Sequence, residues 1–325
     1  MSYKSLQKKV QINNTLNEEI ICFESNNQTI RGILTAPINS QADECFIFTH
    51  GWSGNRAGPS SLLTNLARNM AEEGYEVLRF DFAGRGESDG EGLQSNLLSM
   101  ADDLTAAAKH LKKLNNKRKL SYLGLCSGGN VLVGSLNRLP EANRIVLLSM
   151  YPFSDGDAFS RDLKRFTYYL KIYWQKAFQA HTWKRLFKGD IRISSVLKVI
   201  FSPFTKKDAN KKKEAAVHKN NQPKNQAAEF KARSKSAAKK ESRTQNTEAP
   251  KEHLKGLHKN LPVHMIYGTA DPDADAAIKY FKTYAEENKL PLKIETIQNA
   301  DHNFTAQNWR KELTAKIIRG LGNRE

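Results

Sequence analysis

Short apolar runs and stretches with helical spacing alternate along this chain. Between two of the runs, Leu62, Leu63, Leu66, Ala67 and Met70 recur at intervals of three and four, which predicts a helix over residues 60–73. A final amphipathic helix is predicted over 309–321. Strands are predicted at the apolar runs 44–49, 74–81, 120–125, 144–150, 262–268 and 292–297. The run at 144–150 lacks polar alternation, which is typical of a strand buried on both faces. The alternation as a whole indicates an α/β protein with a parallel sheet.

The run at 120–125 continues through a glycine-rich turn, Gly124-Leu-Cys126-Ser127-Gly128-Gly129, directly into a helix. A sharp strand-to-helix turn that presents a nucleophile needs very small residues two before and two after its apex, because a Cβ there would collide with neighbouring backbone. Gly124 and Gly128 have this relation to Cys126. If Ser127 were the apex, a leucine would occupy the first of these positions. The motif therefore favours Cys126 as a nucleophile, against the simpler interpretation of a small core residue.

The later strands are followed by an acid and a base. Asp271 and Asp273 follow the strand at 262–268, and Asp301 and His302 follow the strand at 292–297. Upstream, His50-Gly51-Trp52 ends the strand at 44–49, and such a turn can direct a backbone N–H at a developing oxyanion. In parallel sheets the carboxyl ends of strands share one edge, so these segments can converge on one crevice.

This arrangement resembles the α/β-hydrolase superfamily, of the serine aminopeptidase S33 type, in which nucleophile, acid and histidine follow in this chain order. The resemblance implies an α/β-hydrolase fold with a mostly parallel, eight-stranded sheet and helices on both faces. It implies Cys126 as the nucleophile, His302 as the base and Asp271 as the acid, with Asp273 as the alternative acid. The remaining implied roles are oxyanion donation by the backbone N–H groups of Trp52 and Ser127 and loop-structuring roles for His50 and Asp301.

A cysteine nucleophile favours activated carbonyl groups, so the expected substrate is a small molecule with an ester or thioester bond. Dienelactone hydrolases and bile-acid-conjugating acyltransferases resemble this chain in having cysteine at the elbow. Acyl transfer is therefore the alternative to hydrolysis. A third interpretation is a degenerate hydrolase that serves as a partner at a membrane surface or in polysaccharide assembly. The segment after residue 150 and the Gly-Leu-Cys elbow are similar to exosortase-associated hydrolases. This chain differs from them by having Ser127-Gly128-Gly129 where they have Asp and Ala next.

The positive charge of the chain is concentrated in one insertion. Residues 161–260 contain 26 Lys and Arg against 8 Asp and Glu, and the rest of the chain contains 25 against 26. Four regions are predicted: a first core part at 1–155, a helical cap at 156–204, a basic disordered linker at 205–258 and a second core part at 259–325. One interpretation of the linker is a solvated spacer without a partner, and the others are attachment to an anionic membrane surface or to an acidic polymer, which suit its charge. No signature of specific nucleic-acid binding accompanies it.

Three scattered cysteines, Cys22, Cys45 and Cys126, are too few for a disulfide framework or a metal site. They favour a cytoplasmic protein, which the basic insertion could place at the inner membrane surface. The sequence begins without a hydrophobic run, and no stretch approaches the roughly 20 apolar residues of a membrane span. No cofactor and no metal are predicted.

Overall fold

The structure is a computed structural model that describes residues 8–38, 42–92, 95–152 and 254–322. The predicted cap at 156–204 and the linker from 205 to 253 lie outside these ranges. The described strands are β1 Lys9–Gln11, β2 Leu16–Ser25, β3 Gln28–Pro37, β4 Glu44–Thr49, β5 Glu76–Phe80, β6 Lys119–Leu125, β7 Ala142–Leu148, β8 Val263–Gly268 and β9 Leu292–Ile297. The described α-helices are α1 Leu62–Glu72, α2 Leu97–Leu114, α3 Ser127–Ser135, α4 Ala274–Asn288 and α5 Gln307–Leu321.

These strands form one sheet in the order β1-β2-β3-β5-β4-β6-β7-β8-β9. The pairs from β5 through β9 are parallel, and β1, β2 and β3 pair antiparallel at one edge. The described part of the sheet thus has nine strands, whereas eight were expected. The sequence gives little sign of β1, because its three residues are all exposed and show no apolar pattern. The α/β-hydrolase fold, with a mostly parallel sheet, is confirmed.

The central strand β4 shows why an apolar run without alternation forms a strand here. Its side chains alternate between two cores, with Cys45 and Ile47 in one and Phe46 and Phe48 in the other. Helices α2, α3 and α4 cover the first core, and α1 and α5 cover the second. Both faces of β4 are therefore buried from solvent, and a polar side chain on either face would need a hydrogen-bond partner.

Local signals fix two of the connections. The β2–β3 hairpin turns through Asn26 and Asn27, both with positive φ, as a two-residue hairpin loop requires. Helix α2 begins with a capping box, in which Asn96 Oδ1 accepts the N–H of Ser99 at 3.0 Å and Ser99 Oγ accepts the N–H of Asn96 at 3.0 Å.

The second core part begins earlier than predicted. Leu254–Gly256 forms a 3₁₀ turn in which Leu254 is buried, and the partly buried Leu257 packs on the same core. The predicted end of the linker at residue 258 is corrected accordingly, because residues 254–257 already bury apolar side chains against the sheet. No helix in the described ranges is long and apolar enough to cross a membrane.

Candidate active site

The turn between β6 and α3 holds Cys126 in a strained conformation. Its φ is 54° and its ψ is −124°, a region that residues other than glycine rarely adopt. The turn is held by hydrogen bonds from the N–H of Cys126 to the Leu148 carbonyl at 2.8 Å and from the N–H of Gly129 to the Cys126 carbonyl at 3.0 Å. Such an apex lifts the side chain of Cys126 out of the line of the strand and presents it at the carboxyl edge of the sheet.

Gly124 and Gly128 lie where a Cβ would collide with backbone, which is the steric reason for which the sequence predicted glycine at both positions. A Cβ on Gly124 would lie 2.7 Å from the backbone nitrogen of Gly129, and a Cβ on Gly128 would lie 2.5 Å from the carbonyl oxygens of Thr49 and His50. Both contacts are with backbone, which cannot move aside as a flexible side chain would. The strand-to-helix turn thus passes against the end of β4, where Thr49 Oγ1 donates to the Gly128 carbonyl at 3.0 Å.

The loops after β8 and β9 bring an acid onto the histidine. His302 Nδ1 lies 2.7 Å from Asp271 Oδ2, and the carboxylate is almost fully buried. Asp273, the alternative acid, donates its own backbone N–H to Asp271 Oδ1 at 3.1 Å. Of the two candidate carboxylates, the structure therefore brings Asp271 to His302, and Asp273 contributes a backbone donor that fixes it.

Asp301 orders the loop that carries His302. Its Oδ1 accepts the N–H of Asn303 at 3.0 Å and that of Thr305 at 3.1 Å, and its Oδ2 accepts the Thr305 hydroxyl. These bonds close a small loop directly after His302, so Asp301 has the local geometry expected of a loop-ordering residue.

Cys126 and His302 shift each other's pKa. Burial raises the pKa of the Cys126 thiol, but interactions with His302 and Ser127 together outweigh burial and lower that pKa. Burial likewise lowers the pKa of His302, but hydrogen bonds to Asp271 and Cys126 raise it to about 10. Since Asp271 occupies Nδ1, the nitrogen left for the thiol is Nε2. A lowered thiol pKa and a raised imidazole pKa both favour a thiolate beside an imidazolium.

His50 lies at the end of β4 and has no carboxylate on its ring. Its Nδ1 lies 2.8 Å from the Gly51 carbonyl, and its Nε2 accepts the N–H of Phe82 at 3.4 Å. Burial lowers the pKa of His50, more than the nearby Gly51 carbonyl raises it. A neutral ring with Nδ1 protonated satisfies both contacts, so His50 joins two loops and is not placed to serve as a base for Cys126.

The expected oxyanion donors are the backbone N–H groups of Trp52 and Ser127, and both already interact with side chains of the elbow. The Trp52 N–H donates to Ser127 Oγ at 2.6 Å, and the backbone N–H of Ser127 contributes to the lowered pKa of the Cys126 thiol. The Ser127 hydroxyl, which accepts the Trp52 N–H, contributes to lowering the same pKa. Sequence reasoning did not find this role of the Ser127 side chain, because a motif gives residue spacing and not a rotamer.

Two arginines that the sequence did not single out hold the loops around the site. Arg56 pairs with the fully buried Asp81, which also accepts the N–H of Glu87 at 3.0 Å. Arg85 donates from Nε to the Trp52 carbonyl at 2.9 Å, and its guanidinium lies 5.6 Å from the centre of the Trp52 ring. The sequence feature that could have indicated the role of Arg56 is Asp81, which follows a strand and precedes a glycine-rich loop. A carboxylate that becomes buried there needs a cationic partner.

No group of three or more potential metal ligands of the types His, Cys, Asp and Glu occurs in the described ranges. The functional groups at this edge of the sheet are a thiol, an imidazole, a carboxylate and backbone N–H donors. Together they can perform nucleophilic acyl chemistry at an electrophilic carbonyl.

A strand-to-helix elbow, followed along the chain by an acid and a histidine on successive strands, defines the α/β-hydrolase class of enzyme. Residues 40–305 match the family described as serine aminopeptidase, S33. The chain belongs to this family, and the protein is an α/β-hydrolase enzyme.

Known proteins of related sequence and structure agree with the class. A quorum-quenching protein, AidA, from Acinetobacter baumannii is 31% identical over 139 residues, which are 41% of this chain and 43% of that protein. The chain thus spans less than half the length of this curated relative. An esterase from Pyrococcus furiosus superposes with a TM-score of 0.56 at 17% identity, covering 94% of this chain and 90% of that one. A dienelactone hydrolase from Anabaena variabilis gives 0.54 at 13% identity, covering 95% and 98%.

Proposed function

We propose that this enzyme hydrolyses carboxylic esters or thioesters of small molecules through a covalent acyl group on Cys126. The observation that carries the proposal is the 2.7 Å contact between Asp271 and His302 at the edge of the sheet where the strained elbow presents Cys126, whose pKa His302 lowers. The lowered pKa of the thiol matters because the thiolate, not the thiol, is the nucleophile.

In the first half of the reaction the Cys126 sulfur attacks the carbonyl carbon and forms a C–S bond. The carbonyl π electrons move to oxygen, and the N–H groups of Trp52 and Ser127 stabilise the resulting oxyanion. Loss of one such donor typically costs about 3 kcal/mol of transition-state stabilisation. The bond to the leaving alkoxide or thiolate then breaks, and imidazolium His302 donates its proton to that leaving group.

In the second half, neutral His302 takes a proton from water as the water oxygen attacks the thioester carbon. Collapse of the second tetrahedral intermediate breaks the C–S bond, releases the carboxylic acid and restores the thiolate–imidazolium pair. Asp271 holds the ring through Nδ1, which leaves Nε2 for the sulfur. An amine or alcohol in place of the water would make the same acyl-enzyme an acyltransferase.

The test compares the wild type with Cys126→Ala on a panel of activated esters, thioesters and lactones. Cys22→Ala is the matched control, because Cys22 is an exposed free cysteine of β2. We expect Cys126→Ala to lose at least about 10³-fold in kcat/KM and the control to keep wild-type activity. Unchanged turnover in a folded Cys126→Ala preparation would exclude the mechanism.

Intact mass distinguishes the two acyl fates. An acyl mass on the wild type but not on Cys126→Ala identifies the covalent intermediate. Adding amine or alcohol acceptors then shows whether product moves from the free acid to an acylated acceptor. Because the A. baumannii relative is a quorum-quenching protein, loss of a bacterial quorum signal belongs among the assays.

The finer relationships rest on sequence. The Gly-Leu-Cys elbow supports kinship with exosortase-associated hydrolases, whereas the cap that suggested the same kinship lies outside the described residues. The excess of Lys and Arg at 161–260 supports attachment to an anionic membrane surface or acidic polymer. Deleting residues 205–253 and measuring cosedimentation with anionic liposomes tests this, and unchanged binding would mean that the linker is only a spacer.

A further inference from the structure

The Ser127 side chain lies where a substrate oxygen is expected. Its Oγ accepts the Trp52 N–H at 2.6 Å, which is the kind of contact that an oxyanion-hole donor makes with the developing oxyanion. In the proposed reaction this N–H binds the carbonyl oxygen. One N–H cannot make a full hydrogen bond to both oxygens at this distance, so the hydroxyl and the substrate compete for it.

The same hydroxyl lies close to the nucleophile. A Cβ built on Gly51 would be 3.6 Å from the Cβ of Cys126 and also 3.6 Å from Ser127 Oγ, so these groups surround one small volume. Ser127 also lowers the pKa of the Cys126 thiol, as a hydroxyl that donates to the thiolate would. A serine hydroxyl has one proton and two lone pairs. With a lone pair accepting from Trp52, its proton is free for the thiolate.

We propose that Ser127 is a positioning residue that fills the oxyanion site in the resting enzyme, and that the substrate carbonyl oxygen displaces its hydroxyl by rotation about χ1. The inference rests on the proposed function, since it takes Cys126 as the nucleophile. In the resting state the hydroxyl satisfies an otherwise unpaired N–H and solvates the thiolate. On displacement the thiolate loses a donor at the moment it meets the carbonyl carbon, which makes it a stronger nucleophile.

The Ser127 hydroxyl could instead act as an oxyanion donor, and removing it would then have the opposite effect on oxyanion binding. If Ser127 kept its place and donated to the oxyanion as a third donor, removing the hydroxyl would weaken binding of an oxyanion. If the hydroxyl is displaced, removing it strengthens that binding, because no hydrogen bonds have to be broken first. The short contact with Trp52 favours displacement, since Oγ and a carbonyl oxygen would occupy overlapping volumes.

The experiment uses the full-length enzyme with Cys22→Ser, so that Cys126 is the reactive thiol outside the buried core. Its variants are Ser127→Ala and Ser127→Thr, and Ser135→Ala is the control. Ser135 is also on α3 and donates its buried hydroxyl to the Val131 carbonyl at 2.6 Å, away from the site. The probe is an alkyl trifluoromethyl ketone, whose carbonyl carbon adds the thiolate reversibly and whose oxygen becomes the oxyanion. A second readout is the pH dependence of Cys126 alkylation by iodoacetamide.

We expect Ser127→Ala to bind the ketone about three- to tenfold more tightly, as the loss of one neutral hydrogen bond predicts. Its alkylation midpoint should move to higher pH, because the thiolate loses a donor. Ser127→Thr keeps a hydroxyl and should keep the wild-type midpoint, and Ser135→Ala should match the wild type in both readouts. A purely structural role for Ser127 would not move the pH profile.

Tenfold weaker ketone binding by Ser127→Ala would overturn the proposal in favour of a third oxyanion donor, and no change in either readout would overturn it outright. These failures differ from failure of the proposed function. If Cys126 is not the nucleophile, the ketone forms no adduct with the wild type and alkylation does not depend on His302. If only the Ser127 inference is wrong, the wild-type adduct and that dependence both remain.

Discussion

Two histidines lie at the carboxyl edge of this sheet, and they differ in what their rings contact. His50, after β4, contacts a backbone carbonyl and a backbone N–H, and burial lowers its pKa. His302, after β9, contacts the Asp271 carboxylate, and Asp271 and Cys126 raise its pKa to about 10 despite burial. Burial therefore does not decide the role of either ring. A carboxylate on Nδ1 decides it, because that charge stabilises the imidazolium.

Two cysteines, one in β4 and one directly after the neighbouring strand β6, differ in the same way. Cys45 on β4 is fully buried, and burial raises its pKa well above the ordinary value. Cys126 is also largely enclosed, but His302 lowers its pKa. Of these two thiols, only Cys126 has an imidazolium partner, so the comparison of the histidines also explains which cysteine can react.

Replacing each histidine by glutamine gives the largest expected contrast. His302→Gln should reduce kcat by as much as about 10⁶-fold, since loss of the base disables a triad that acts as a unit. His50→Gln should leave most of the activity and lower the free energy of unfolding by about 1–3 kcal/mol, through its backbone contacts. Steady-state kinetics and urea unfolding of both variants test this. A His50→Gln variant that is folded but as inactive as His302→Gln would refute the assignment.

Exchanging the acids for isosteric amides comes next in size. Asp271→Asn should lower kcat by about 10⁴-fold, because an amide allows the wrong tautomer of His302. Asp273→Asn is the matched control, and its backbone donation to Asp271 does not depend on the side chain. We expect its kcat to stay within about tenfold of the wild type. The reverse result would make Asp273 the acid.

A smaller effect is expected where the histidine is only positioned. Asp301→Asn weakens the hydrogen bonds that close the loop after His302, and a misplaced ring should cost between about 10- and 10²-fold in kcat/KM. The pH dependence of Cys126 alkylation should persist in this variant. Complete loss of that dependence would mean that Asp301 does more than order the loop.

The smallest effects should appear in the pH dependence of stability. Unfolded histidine and cysteine titrate near about 6.5 and 8.5. Because folding lowers the pKa of Cys126, its thiol contributes stability that grows as the pH rises towards about 8.5. Because folding raises the pKa of His302 to about 10, its ring contributes stability that is lost as the pH rises from about 6.5 towards 10. Between about pH 6.5 and 8.5 the two contributions change in opposite directions and offset each other, and above about pH 8.5 the free energy of unfolding falls.

Urea unfolding from pH 5 to 10 tests this dependence. The quantity to compare is the difference in free energy of unfolding between the wild type and the double variant Cys126→Ala/His302→Gln. A difference that rises or falls steadily through neutral pH would contradict the thiolate–imidazolium pair.

For His50 a single group determines how the free energy of unfolding changes with pH. Its folded pKa is lowered, so the wild type should lose stability relative to His50→Gln only as the pH falls below about 6.5.

Much of this comparison was accessible from sequence, and the limits have physical causes. Apolar runs predict the buried strands, and Gly124 and Gly128 predict the elbow. Both signals are clear because close packing permits few residue types at these positions. The exposed edge strand β1 has no such pattern. Asp271 and Asp273 are two residues apart and both buried, so chain order could not choose between them. Only loop geometry brings Asp271 to His302.

The order of these groups along the chain has a consequence for synthesis. Cys126 precedes His302 by 176 residues. At about 5 to 20 residues per second, a ribosome needs about 9 to 35 seconds to cover that distance. Throughout this interval the imidazole that lowers the pKa of the thiol does not yet exist. The nascent chain therefore carries Cys126 as an ordinary thiol, and its chemistry begins only when the last strand and its loop have been added.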